Sequence, residues 1–159
     1  MMPRIFRKEA EQYFRKQMEL LTSAGFDALG IGSMEEPGFL REAGIELPMY
    51  FDQGMYSWNH LAGAAMERYG ADRLTIPVEL NEREIRDSGV QGEMIVYGYL
   101  PMMISAQCIR KTTLGCSGKP EVMWLKDRKD MRFPVVNQCR FCYNTIYNSA
   151  PLSLLGLSE

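Results

Sequence analysis

The chain has 159 residues, 46% apolar and 24% charged, with a formal net charge of -2. That composition suits a globular protein with a real core; it has neither the basic excess of a general nucleic-acid binder nor an acidic tail. No apolar run is long enough to span a bilayer, Met94–Ile104 being too short, and no membrane partner is expected. Met1–Lys8 passes directly into a charged helical pattern without the apolar centre of a signal peptide, which predicts a cytoplasmic protein.

Residues 4–24 predict an amphipathic helix, because Phe6, Ala10, Tyr13, Phe14 and Leu21 recur at helical spacing among Arg, Lys and Glu. Gly25 stops it. Phe26–Ile31 predicts a short strand. Glu35–Ala43 predicts a second helix, with Pro37 tolerated in its first turn and Gly44 after its end. Leu47–Phe51 predicts a second strand. Ser57 or Asn59 can cap a third helix that runs to Tyr69 and closes at Gly70. Arg73–Val78 predicts a third strand. Asn81 followed by Glu84 has the spacing of a capping box, and so predicts a short helix to about Ser88. Glu93–Tyr99 predicts a fourth strand, which Met102–Ser105 extends beyond Pro101.

Strands alternating with helices imply parallel pairing and right-handed crossovers. Their continuous apolar runs suit a sheet covered on both faces. The expected fold class is therefore α/β, with parallel β/α units; about four strands are visible and a closed barrel needs eight, so they form either an open, doubly wound sheet or a part resembling half of a (β/α)8 barrel. Open edges on such a half-barrel would favour a homodimer. A boundary is expected near residue 106, giving segments 1–105 and 106–159. In the second, Glu121–Leu125 and Arg132–Val136 predict a hairpin around a charged turn, and Pro151–Leu155 is too short for an independent unit. Met102, Met103 and Met123 are expected to fill core space, the usual role of methionine.

All four cysteines fall in the last third, at Cys108, Cys116, Cys139 and Cys142. Thiolates are soft ligands, and four of them suit tetrahedral zinc or an iron–sulfur cluster. Cys139 and Cys142 have standard ligand spacing; Cys108 and Cys116, with seven residues between them, do not. The predicted hairpin lies between the pairs and could bring Cys116 near Cys139. Reduced, partly buried thiols are the alternative, and disulfides fit poorly with a cytoplasmic chain.

The one histidine, His60, sits in a predicted helix without an obvious partner. Gly30-Ile31-Gly32 follows a strand but lacks the third glycine of a dinucleotide fingerprint, and neither a P-loop nor a nucleophile elbow is present. In parallel sheets, chemistry collects at the C-terminal ends of the strands. Asp52 and Glu79 occupy such ends and are candidate catalytic acids; Glu79 is otherwise a solvated acid beside a helix start. Basic and aromatic residues interleave around the cysteines, among them Arg110, Lys126, Arg128, Arg132 and Trp124, which suits RNA as well as a merely solvated turn.

Several motifs occur in an order that resembles the peptidase U32 family, the collagenase-like proteases. They are Glu93–Gly98, Leu100–Ser105 with Cys108, Leu125–Arg128, Phe133-Pro134 with Cys139, and Tyr147–Leu152; upstream, Asn59 and Glu79–Glu84 also look like its barrel units. The resemblance spans residues 25–155. It implies a (β/α) barrel with a cysteine site after the barrel strands, the four cysteines as ligands of zinc or an iron–sulfur cluster, and Glu79 as a barrel-mouth acid. Asn59, Tyr97 and Arg128 are the substrate-binding candidates. Some members are described as collagen-degrading; others are linked to hydroxylation of tRNA or rRNA, with a prephenate-derived co-substrate and iron–sulfur assembly implicated. Two departures favour RNA modification: Tyr97 stands where many protease members have His, and two residues rather than three separate Cys139 from Cys142. The alternatives are a peptidase acting on protein through a barrel-mouth carboxylate, and a non-enzymatic, zinc-stapled binding module.

Overall fold

The computed structural model describes residues 2–156. Its chain divides into two compact units, Met1–Ile95 and Val96–Glu159.

The N-terminal unit begins with an irregular segment and then α1 (Lys8–Ser23), which turns Ala10 and Met18 inward. Three short strands follow, β1 (Leu29–Ile31), β2 (Met49–Phe51) and β3 (Arg73–Leu74), paired in parallel in the order β1-β2-β3. The connections carry α2 (Glu35–Glu42) and α3 (His60–Tyr69). Parallel neighbours cannot be joined by a tight turn, which is why each pair is bridged by a helix. Asn59 caps α3 by accepting a hydrogen bond from the Ala62 amide, and Gly70 ends it at φ +113°, a conformation that L side chains disfavour. The capping box forms as its spacing predicts: Asn81 and Glu84 bond each other's backbone amides at the start of α4 (Glu82–Ser88). Ile31, Phe51 and Leu74, one from each strand, pack with Met18, Phe39 and Leu40 to make the core. Burying a side chain of this size contributes about 1.5–3 kcal/mol.

Two expectations for this unit are corrected. The strands are buried only toward their C-terminal ends, so the sheet is not covered along its whole length. A fourth parallel strand does not form. The segment after Gly92 touches the sheet at one parallel bridge, Thr75 to Glu93, held by Glu93 N to Leu74 O and Ile76 N to Glu93 O, each 2.8 Å. Beyond it Met94 and Val96 stay exposed, without the burial that would hold a longer strand against the sheet.

In the C-terminal unit, β4 (Tyr97–Gly98) pairs antiparallel with β9 (Leu152–Ser153), so the terminal apolar residues return as a strand partner. β5 (Pro101–Ser105) does not extend a parallel strand. It joins an antiparallel sheet of order β5-β8-β7-β6 with β6 (Glu121–Lys126), β7 (Arg132–Gln138) and β8 (Tyr143–Tyr147). Sequence reading did not predict β8, although all of its residues but Asn144 are aromatic or β-branched. α5 (Ile109–Thr113) connects β5 to β6. The β6–β7 turn follows from Asp127, whose carboxylate receives the amides of Lys129 and Met131, and from Asp130 at φ +65°. Met102 and Met103 are exposed and Met123 is half-buried; Val135, Asn137, Tyr143, Asn144 and Thr145 are the buried positions of the described sheet. Met102 and Met103 therefore do not fill core space. Among the described residues, no helix is long and apolar enough to cross a membrane.

Candidate functional site

Antiparallel pairing gathers the cysteines at one end of the four-stranded sheet. The register places Ser105 opposite Asn144, Gln138 opposite Tyr143, and Glu121 opposite Asn137. The end of β5, the β7–β8 turn and the start of β6 therefore share an edge. Cys108 follows β5, Cys139 and Cys142 form the β7–β8 turn, and Cys116 lies in the loop before β6. Several contacts tie these segments together. Asn144 Nδ2 donates to Gln107 O at 2.6 Å, the Cys139 thiol donates to Lys119 O at 2.8 Å, and Arg110 on α5 is ion-paired with Glu121 on β6. The turn itself closes through Phe141 N to Gln138 O at 3.1 Å, with Cys142 at φ +52°.

All four cysteines are free thiols. Desolvation pushes the Cys139 thiol up from its ordinary value, and the neighbouring Cys108, Cys116, Glu121 and Cys142 push it further. Cys108, Cys116 and Cys142 therefore lie near enough to Cys139 to act on it electrostatically. The donor set fits a soft metal or a cluster. The side-chain amide of Asn137, two residues before Cys139, is buried without a hydrogen-bond partner. Among the described residues, no three His, Cys, Asp or Glu side chains are arranged to hold an ion as they stand. The Cys139 and Cys142 thiols donate to the carbonyls of Lys119 and Cys139, at 2.8 Å and 3.7 Å.

A second cluster stands at the C-terminal ends of β1 and β2. Asp52 Oδ1 accepts from Gly54 N at 2.7 Å, and Oδ2 is ion-paired with Arg4 from the segment before α1. Arg4 Nη1 donates to Gly32 O at 3.0 Å. The Gly32 amide donates to Glu36 Oε2 at 3.2 Å, and Glu36 is fully buried. Desolvation raises the Glu36 carboxyl to about 7; the Gly32 amide and the Ser33 hydroxyl oppose this, and the charge of Asp52 adds to it. Glu36 Oε1 and Ser33 Oγ both lack a properly oriented hydrogen-bond partner, although they are near enough for the hydroxyl to act on the carboxyl. A proton on Oε1 donated to Oγ would satisfy both. Asp52 is also raised, by desolvation, against the pull of Arg4 and the Gly54 amide.

Of the other residues singled out from sequence, Glu79 is exposed in the turn between β3 and α4. The side-chain oxygen of Asn59 is engaged as the cap of α3. Tyr97 is exposed on β4, and Arg128 is exposed in the β6–β7 turn. Sequence reading missed Glu36 and Arg4. Glu36 has one available signal: it shares a helical face with Phe39 and Leu40, so an acid stands on the apolar stripe of α2.

A sequence model of peptidase family U32 matches residues 3–152, nearly the whole chain. The chain belongs to peptidase family U32. No curated protein and no solved structure matches it. In this U32 chain the matched span includes both clusters, the acidic one at the parallel sheet and all four cysteines.

Proposed function

We propose that this chain carries the thiolate-ligated centre of a U32 enzyme whose chemistry is hydroxylation-type modification of RNA. The observation behind this is the gathering of Cys108, Cys116, Cys139 and Cys142 at one end of a single sheet. When bound there, an iron–sulfur cluster would supply electron transfer, whereas zinc would serve as a structural staple. Four thiolates on zinc would leave no open position for water, so a site closed in that way would not be a hydrolytic centre. The chain's own residues position the thiols: the β7–β8 turn presents Cys139 and Cys142, and α5 is fixed to β6 by Arg110 and Glu121. RNA contact is supported by exposed Trp124, which shares a sheet face with Lys126 and Arg132. The parallel β/α units are read as part of a (β/α)8 barrel, and a prephenate-derived co-substrate follows from the resemblance of family members linked to RNA hydroxylation.

The test is metal and sulfide analysis, with absorption spectra, of anaerobically purified wild type and Cys139→Ser. Iron with sulfide and a broad thiolate-cluster band in the wild type, lost in the variant, supports the proposal. One zinc without colour reassigns the centre as a staple. No metal in either protein removes the cysteine argument. A peptidase is the second reading, favoured by one observation: a buried carboxyl raised to about 7 at the C-terminal end of a parallel sheet is suited to general acid–base work. Gelatin cleavage that disappears in Glu36→Gln would establish it.

A further inference from the structure

We infer that the C-terminal mouth of the β1–β2 pair is a recognition site for a guanidinium group, occupied in this structure by the chain's own Arg4. The proposal stands apart from the cysteine centre.

Three features point to a site and not to an incidental ion pair. First, the receptor offers two acceptors of fixed position, Asp52 Oδ2 and the Gly32 carbonyl, to two nitrogens of one planar fork. Both acceptors are held from behind: the Asp52 carboxylate by the Gly54 amide, and the Gly32 backbone by Glu36. Second, the cradle exists because two glycines leave it open. A Cβ at position 54 would overlap Arg4 Nη1, and one at position 32 would come within 3.4 Å of the guanidinium carbon and 3.3 Å of Asp52 Oδ2. Third, the carboxyl behind the cradle is itself fixed, fully buried with Oε2 on the Gly32 amide, so the framework of the receptor is rigid. The occupant comes from a segment with no helix or strand of its own, and its side chain is 19% exposed. An arginine side chain of a protein or peptide could therefore replace it without unfolding a regular element. Lysine would fit less well, because an ammonium cannot present two parallel donors to the same pair.

The experiment uses the full chain, as wild type and Arg4→Ala, titrated with Nα-acetyl-arginine amide and with its uncharged isostere, Nα-acetyl-citrulline amide. The readout is the amide resonances of Gly32 and Gly54. The arginine derivative is expected to shift both resonances in Arg4→Ala, at least about tenfold tighter than in the wild type, where the internal occupant competes. The citrulline derivative is expected to be inert, and Asp52→Asn in the Arg4→Ala background should abolish the response. Should Arg4→Ala be unfolded alone, the arginine derivative but not the citrulline derivative should refold it, measured by circular dichroism. No response to the arginine derivative, or an equal response to both, overturns the proposal.

Discussion

Glu36→Gln tests the account of the acidic cluster most directly. Glu36 is fully buried, and its carboxyl is raised from 4.5 to about 7. The folded state therefore holds this proton more tightly than the unfolded chain does. Below the unfolded value both states are protonated and the group imposes no penalty. As pH rises through the window from 4.5 to about 7, the unfolded chain ionises first and stability falls; above 7 the penalty is constant. A displacement of that size corresponds to roughly 3 kcal/mol, of which roughly 2–3 kcal/mol is lost between pH 5 and 8. Glutamine keeps an oxygen for the Gly32 amide and places an N–H toward Ser33 Oγ, but it cannot ionise. The variant should match the wild type within about 1 kcal/mol at pH 5 and exceed it by roughly 3 kcal/mol at pH 8. The assay is urea unfolding at several pH values, followed by Trp58 fluorescence in a Trp124→Phe background, because the two tryptophans lie in different units. Parallel pH profiles for the wild type and Glu36→Gln, each in that background, would refute the burial argument.

Gly92→Ala should be strongly destabilising. An added Cβ would meet the Leu74 carbonyl oxygen at 2.5 Å, which is backbone and cannot swing aside, so the bridge between Glu93 and β3 must open. A loss of about 2 kcal/mol or more in urea unfolding is expected. Asn81→Ala removes one half of the capping box and should lower stability by about 1 kcal/mol, with Asn81→Gly losing less, as read by thermal unfolding. Trp124→Ala should weaken binding to single-stranded RNA by about 1–3 kcal/mol while leaving the far-ultraviolet circular dichroism unchanged, because the side chain is 60% exposed. Unchanged RNA affinity would remove this sheet face from the proposed contact.

Local chemistry was legible from sequence wherever a residue acts on its own neighbours in the chain. Asn59 and Gly70 bracket α3, and Asn81 with Glu84 opens α4, because a cap needs only a side-chain oxygen or a positive φ within one turn. Parallel pairing of the first three strands followed from the intervening helices, which leave no tight turn to reverse the chain. The β6–β7 pair was legible for the converse reason: a short charged turn joins two strands.

Partnerships over long sequence separations were decided by tertiary structure. Glu93–Tyr99 has the composition of a strand, but pairing depends on which edge it meets; Glu93 bridges to Thr75, and Tyr97 pairs with Ser153. Pro101–Ser105 reads as a continuation, yet it pairs with Tyr143–Tyr147, with α5, β6 and β7 between them in the chain. Glu36 shows the limit most plainly. In sequence it is an acid in the first turn of a helix, where the dipole accounts for it; only the packing of β1, β2 and the Arg4 segment around it makes it a buried proton holder. The sequence by itself determined helices α1 to α4, the caps of α3 and α4, the alternation that forces parallel strands and the presence of four soft ligands. Tertiary structure decided which strands meet, that the four thiols share one edge, and that Arg4 and Asp52 find each other across 48 positions. Caps and turns act within a few residues, whereas burial and charge pairing depend on what the rest of the chain brings alongside.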